Sequence, residues 1–327
     1  TTCQFRAEAI PLSNQMTDSS RFVGSIVLSL GTVCLATCTP ASTTLDSAPS
    51  VSSETDITSD LARMAEQFLA VQELDPFIYD LTEVEAYRQQ AEFITVLQPH
   101  LGQIIGYKTG GHDTGPQNPN FPAHGIRGVL LEGMLRPSGA SVAPNDVIWG
   151  FLEADFAVRV GDKSINTAKT DLELLSSLDA VIPFIEIPDP AFRNNQRSPT
   201  SSIVTNMTSR YAFAGDPIPI KPTLAWIDTL NTMTFAVHDE HGTEVGSGTL
   251  DGHYQPLTVV RWLRNHLRTF GLQLEPGHLL SLGTININRQ LKAGSPQGSP
   301  AYRSNQYRLS YYGLSGDAGT VVVNIER

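Results

Sequence analysis

Residues 148–160 read IWGFLEADFAVRV, and residues 180–189 read AVIPFIEIPD. Both stretches have the β-branched, aliphatic and aromatic composition of buried strands. Three acids interrupt them, Glu153 and Asp155 in the first and Glu186 in the second. A strand turns alternate side chains to one face, so Glu153 and Asp155 project side by side. One acid in a strand is ordinarily a solvated edge or half of a structural ion pair. Several inside an apolar sheet each cost several kcal/mol unless a cation compensates them, and a divalent ion is the simplest compensation.

Further short apolar runs separated by Gly and Pro turns fill the chain from Gly102 onward: QIIGYK, GVLLEGML, RYAFAG, MTFAVHD, LLSLGTINI, YRLSYYGL and TVVVNIE. This spacing predicts a strand-rich body over residues 101–327. Two helices break into it. Thr170 and Glu173 form a capping box before DLELLSSL, and residues 256–270 make a second helix that Gly271 stops. Ahead of the body, residues 59–100 read as a small helical part. Apolar positions recur there at Leu61, Met64, Ala65, Phe68 and Leu69, then at Val84, Tyr87, Ala91 and Ile94, with Thr82 and Glu85 as the capping box of the second helix. The tract 293–306, AGSPQGSPAYRSNQ, reads as a surface loop.

The 327 residues are 40% hydrophobic, which suits a buried core, and 33 acidic against 22 basic residues leave a net charge of -11. Such a charge repels phosphate backbones, so no nucleic-acid partner is expected. All three cysteines, Cys3, Cys34 and Cys38, precede the body. Any metal held there must therefore use oxygen or nitrogen ligands, and oxygen favours hard ions such as Mg, Mn or Ca.

Residues 22–38, FVGSIVLSLGTVCLATC, carry no charge and suit the apolar region of an export signal. Leu35-Ala36-Thr37-Cys38 resembles a bacterial lipoprotein box, which makes Cys38 the candidate lipidation site; Thr37 departs from the usual small residue. A cleaved secretory signal and an uncleaved anchor remain alternatives. Residues 39–58, rich in Ser, Thr, Pro and Ala, read as a flexible tether behind the export segment 1–38. The expected location is the periplasm, with membrane contact only through the lipid.

With its acids, helices and strands in this order, the chain resembles the 2-keto-4-pentenoate hydratase branch of the fumarylacetoacetate hydrolase superfamily over most of residues 60–327. The carrying pieces are EAYRQQ (85–90), IIGYKTG (104–110), LEADFAVRVGD (152–162), DLELLSSLDAVIPFIEIPD (171–189), PLTVVRWL (256–263) and SLGTI (281–285). The implied fold is α+β, a mixed β-sandwich roll of the fumarylacetoacetate hydrolase type with a small helical N-terminal part.

The resemblance implies a Mg2+ or Mn2+ ion on the positions of Glu153, Asp155 and Glu186, where relatives have three glutamates. It places Lys108, in GYKTG, as the catalytic acid/base group. It implies a small-molecule 2-oxo acid, of the 2-hydroxypenta-2,4-dienoate kind, processed through a metal-stabilised enolate, and a homo-oligomer. Hydratases, decarboxylases and C–C hydrolases share that step, and an exported binding protein keeping the fold without turnover is a further alternative. Arg127, Asn206, Gly283 and Thr284 are the expected substrate-binding residues. Two departures stand out: Thr205 precedes Asn206 where relatives carry Asp, and Leu282 precedes Gly283 where they carry Thr, leaving Ser281 or Thr284 to supply the hydroxyl. Of the histidines, His112 and His124 flank a Gly/Pro-rich loop, and His238 and His241 bracket a turn; solvent-facing positions are the plain reading of all four.

Overall fold

Strand and helix signals of the sequence become a pair of mixed sheets with helices on their flanks in the computed structural model, which describes residues 54–111, 124–250, 255–291, 304–314 and 319–327. The export segment, Cys38, most of the tether, His112 and most of the tract 293–306 lie outside the described residues. Helix α1 (Glu54–Leu69) begins within the stretch expected to be tether. Thr82 opens α2 (Glu83–Leu101): its hydroxyl accepts from the Glu85 amide while the Glu85 carboxylate accepts from the Thr82 amide.

The body continues with β1 (Ile104–Gly110), β2 (Ile126–Leu131), β3 (Leu135–Pro137), β4 (Ser141–Val142), β5 (Phe151–Val160), α3 (Asp171–Ser176) and β6 (Leu178–Pro188). After α4 (Pro199–Val204) come β7 (Ser209–Ala214), β8 (Ile218–Pro219), α5 (Leu224–Thr232), β9 (Thr234–Asp239) and β10 (Glu244–Thr249). The chain closes with α6 (Pro256–Thr269), β11 (Leu279–Gln290), β12 (Gln306–Tyr312) and β13 (Gly319–Ile325). Of these, α4, α5, β4, β8 and β10 are too short or too weakly patterned to stand out in the sequence. The expected strand GVLLEGML is interrupted by a helical turn at Glu132–Met134.

The larger sheet runs β2-β1-β11-β5-β6-β7-β3, with β8 beside β6; the smaller runs β10-β9-β12-β13-β4. Neighbours are antiparallel except β1 with β11, β3 with β7 and β4 with β13. Phe156 stacks on Tyr311 at 5.5 Å between ring centres, and the Tyr311 hydroxyl donates to the Asp155 carbonyl, tying the two sheets together.

Alternation divides the larger sheet into two unlike faces. Leu152, Ala154, Phe156, Val158, Val181 and Ile185 face the main core. On the opposite face, Ala157, Ala180, Ile182, Phe184 and Ala212 form a smaller apolar cluster, and the same alternation places Glu153, Asp155 and Glu186 there.

Candidate active site

Antiparallel pairing sets Glu153 directly opposite Glu186 and Asp155 opposite Phe184, so the register brings all three acids together on adjacent strands. Asp155 and Glu186 are 0% and 1% exposed, and Glu153 is half-buried. On the far side of β11, Lys108 pairs with Ser281 and is 2% exposed. Its ammonium makes a close ion pair with Glu186 Oε2. Gly128 lies opposite Lys108 in β2, and a Cβ there would come within 3.0 Å of both Lys108 Cγ and Asn206 Oδ1. Any side chain there would press on both.

Each carboxylate has its own anchor. Asp155 Oδ2 accepts from the Ser281 hydroxyl at 2.8 Å, Glu153 accepts from the Thr284 side chain, and Glu186 takes the lysine. A bulge in β11 makes the first two possible. Ser281 pairs with Ala157 and Thr284 with Asp155, so β11 spends one more residue than β5 between the same points. Gly283 sits within this bulge at φ +98°, in the left-handed region, and takes up the turn that aims Ser281 and Thr284 at their carboxylates. Leu282, at the position of the missing threonine, points into the main core.

With these anchors, two buried oxygens, Asp155 Oδ1 and Glu186 Oε1, are left without a hydrogen-bond partner. The three carboxylates do not close on one point as they stand: among the described residues no group of three or more His, Cys, Asp or Glu side chains is spaced to hold an ion. The cation in their midst is Lys108. In donor type and in their partnerless oxygens, the carboxylates fit a hard divalent ion.

Burial, reinforced by the charges of Glu186 and Glu153, raises the Asp155 carboxyl well above the usual carboxylate range. Burial also raises Glu153, with Lys108 acting in the opposite sense. Desolvation alone would lower the Lys108 ammonium, but attraction to Glu186, Glu153 and Asp155 outweighs it and the pKa rises. At neutral pH this lysine is charged.

Two expected substrate-binding residues are placed otherwise. Arg127 pairs with Thr109, one residue out of step with Lys108, so its side chain leaves the sheet on the opposite face. There it donates to Gln90 Oε1 at 3.1 Å and His266 Nδ1 at 3.2 Å, and lies over the rings of Tyr87 and Phe270. Asn206 is consumed by backbone: its amide accepts from Val129 N at 2.6 Å and donates to Val129 O at 2.9 Å. Asn206, Met207 and Thr208 all have φ above +50°, and the Asn206 side-chain clasp holds that strained turn. Thr205 donates to Ser201 O in the last turn of α4. His124, a loop residue in the sequence reading, is exposed and pairs with Glu83.

One charged residue without a signal in the sequence feels the charge of the site. Arg197, between β6 and α4, is attracted to Glu153, and burial lowers its guanidinium to about 10. A lone arginine in the non-periodic run NNQRSPT carries no pattern that would mark it.

Comparison with known proteins supports the same frame. No family model matches the chain. A 2-oxo-hept-4-ene-1,7-dioate hydratase from Escherichia coli is 24% identical over 215 residues, 63% of this chain and 78% of that protein. The 4-oxalocrotonate decarboxylase of Pseudomonas putida G7, solved with magnesium and adipate, superposes with a TM-score of 0.68 at 20% identity, covering 84% of this chain and 99% of the other. Its complex with calcium and acetate gives 0.63 at 19% identity. The chain thus has the fumarylacetoacetate hydrolase-type fold, and its sequence resembles the 2-keto-4-pentenoate hydratase branch of that superfamily.

Proposed function

We propose that the chain is a divalent-metal-dependent hydro-lyase acting on a 2-oxo acid, with Glu153, Asp155 and Glu186 as the ligands of Mg2+ or Mn2+ and Lys108 as the proton carrier. The observation that carries this reading is the pair of partnerless oxygens, Asp155 Oδ1 and Glu186 Oε1, buried beside a lysine. Buried carboxylates left incompletely satisfied mark a site waiting for a cation. The hydratase activity named for the Escherichia coli relative and the magnesium in the decarboxylase structure support it further.

A bound divalent ion would polarise the carboxylate and keto oxygen of a 2-oxo acid and acidify the adjacent carbon. The chain's own groups supply the rest. Lys108 holds a proton at Nζ and is kept charged by its neighbours, so it starts as an acid: it gives that proton to the substrate's carbon chain and recovers one from the incoming water. Ser281 and Thr284 fix the orientation of Asp155 and Glu153. Phe184 and the surrounding alanines make an apolar floor that limits water to the molecule being added.

The test is an absorbance assay of the full chain with 2-hydroxypenta-2,4-dienoate, run with Mg2+ and with chelator. Loss of the dienol that requires Mg2+ and yields the hydrated keto acid is the expected result; an inert dienol together with Mg2+-dependent release of CO2 from 2-oxohex-3-enedioate would instead make it a decarboxylase. A second reading, a binding protein without turnover, is favoured by the Lys108–Glu186 ion pair, which already compensates one carboxylate. No turnover on a panel of 2-oxo acids and no retained metal would establish it. Export and lipidation at Cys38 are proposed from the uncharged stretch 22–38 and checked by whether Cys38→Ser abolishes labelling with a radioactive fatty acid.

A further inference from the structure

Asp155 has one methylene less than Glu153 or Glu186, so its carboxylate has little slack and its place is set by its own stretch of main chain. That stretch is irregularly paired. The register of β11 against β5 slips both before and after the pair of Thr284 with Asp155, and a slipped ladder cannot give every carbonyl its amide.

A group from the other sheet supplies a bond there. The Tyr311 hydroxyl donates to the Asp155 carbonyl. Tyr311 lies in β12, the middle strand of the smaller sheet, paired with Phe235 of β9 on one side and with Gly319 of β13 on the other. It is buried, and its ring is steadied against Phe156, the residue that follows Asp155. Burial, with the charge of Asp155 adding to it, raises the phenol well above its ordinary range, so at neutral pH the hydroxyl keeps its proton and remains a donor. A strut thus runs from the centre of one sheet to the main chain of a carboxylate in the other.

The two ions that suit oxygen ligands differ in what they ask of such a carboxylate. Mg2+ takes its oxygens at about 2.0–2.1 Å in near-ideal octahedral geometry, whereas Ca2+ accepts about 2.3–2.6 Å and a variable number of ligands. Holding the shortest ligand in one place therefore favours the smaller ion.

We propose that Tyr311 is a positioning residue for the metal: by fixing the main chain at Asp155 it adjusts the carboxylate site to Mg2+ over Ca2+. This rests on the metal-dependent reading of the site and adds ion selectivity to it.

Calorimetric titration of the full chain with Mg2+ and with Ca2+ tests it. Tyr311→Phe keeps the ring and removes only the donor. Mg2+ binding should weaken about tenfold, as for other groups that orient a ligand, and Ca2+ binding by no more than about twofold, so the preference for Mg2+ falls about fivefold. Leu309→Ala, in the same strand and buried, should destabilise the protein while leaving the preference where it is in the wild type. Phe156→Leu loosens the strut but spares its hydroxyl; it should lower the preference in the same direction by a smaller factor, and it serves as the test where the phenylalanine variant does not fold. Equal weakening of both ions in Tyr311→Phe, or the same change of preference in Leu309→Ala, would make Tyr311 a purely structural residue and overturn the proposal. So would unchanged binding of both ions. A wild type that binds both ions, with a preference that Tyr311→Phe does not alter, defeats this proposal alone; one that binds neither defeats the metal-dependent reading as well.

Discussion

Strands β1 and β2 carry two polar clusters back to back, one around Arg127 and one around Lys108, and they differ in how completely their groups are satisfied. Arg127 has Gln90, His266 and two rings, and its amide donates to the Tyr87 hydroxyl at 2.9 Å. Gln90 in turn donates to Arg127 O and Ile203 O. Because Arg127 donates to His266 Nδ1, that ring is neutral with its proton on Nε2, facing Glu83; burial and the neighbouring arginine push its pKa down to about 4. Across the sheet, Lys108 and three carboxylates leave two oxygens open. A buried cluster with its bonds closed is a brace, and one with bonds left open is a site.

The largest effect should come from Lys108→Met. Turnover should drop by about 10²- to 10⁴-fold, the range of a lost acid/base group. Metal binding should hold or tighten, because Glu186 then has no internal competitor. Thermal unfolding gives a readout independent of activity: Mg2+ should raise the variant's Tm by more than it raises the wild type's. Equal shifts would mean that lysine and metal do not share Glu186.

Arg127→Met attacks the brace instead. Leaving Gln90 and His266 without their partner and removing the ring contacts should destabilise by about 3 kcal/mol, measured by denaturant unfolding. Mg2+ affinity of the folded protein should not move. A variant that keeps its stability but loses substrate affinity would return Arg127 to the site and erase the contrast between the clusters.

Glu186→Gln tests the open cluster directly. Losing one charged ligand should weaken Mg2+ about tenfold or more by calorimetry. The pH dependence follows from the raised Asp155 and Glu153 pKa values. Below those values the ligand-free site holds protons that the metal must displace, so affinity should rise with pH and level off once they are gone. Proton release should appear as a dependence of the observed heat on buffer ionisation enthalpy; a heat independent of buffer would show that the carboxylates are already ionised.

How much of this was legible in the sequence depends on periodicity. Glu153, Asp155 and Glu186 are readable because alternation within a strand needs no knowledge of its partner. Arg127 was misplaced because the face it takes depends on the register of β2 against β1, and a shift of one residue separates Gly128, opposite Lys108, from Arg127, opposite Thr109. Asn206 deceived for another reason: its amide serves a left-handed turn, and backbone strain has no periodic signature. Gly283 did leave a trace, since a glycine inside a strand pattern is the mark of a bulge. What the sequence could not convey is that the bulge aims Ser281 and Thr284 at two different carboxylates.

The smallest and sharpest probe is Gly128→Ala, because a Cβ there would meet both the lysine of the site and the amide that clasps β2. Its φ is unremarkable, so strain is not the issue; space is. The added methyl would meet Lys108 Cγ and Asn206 Oδ1, each at 3.0 Å. If Asn206 gives way, its clasp on Val129 loosens and the loss is one of stability, about 1 kcal/mol. If Lys108 gives way, the ammonium shifts on Glu186 and turnover falls by about tenfold with little change in unfolding, since misplacement of a reacting group is felt in rate first. The flexible lysine is the softer of the two neighbours, so the kinetic loss is the expected result, and a purely thermodynamic one would mean that Lys108 is fixed more firmly than the clasp beneath it.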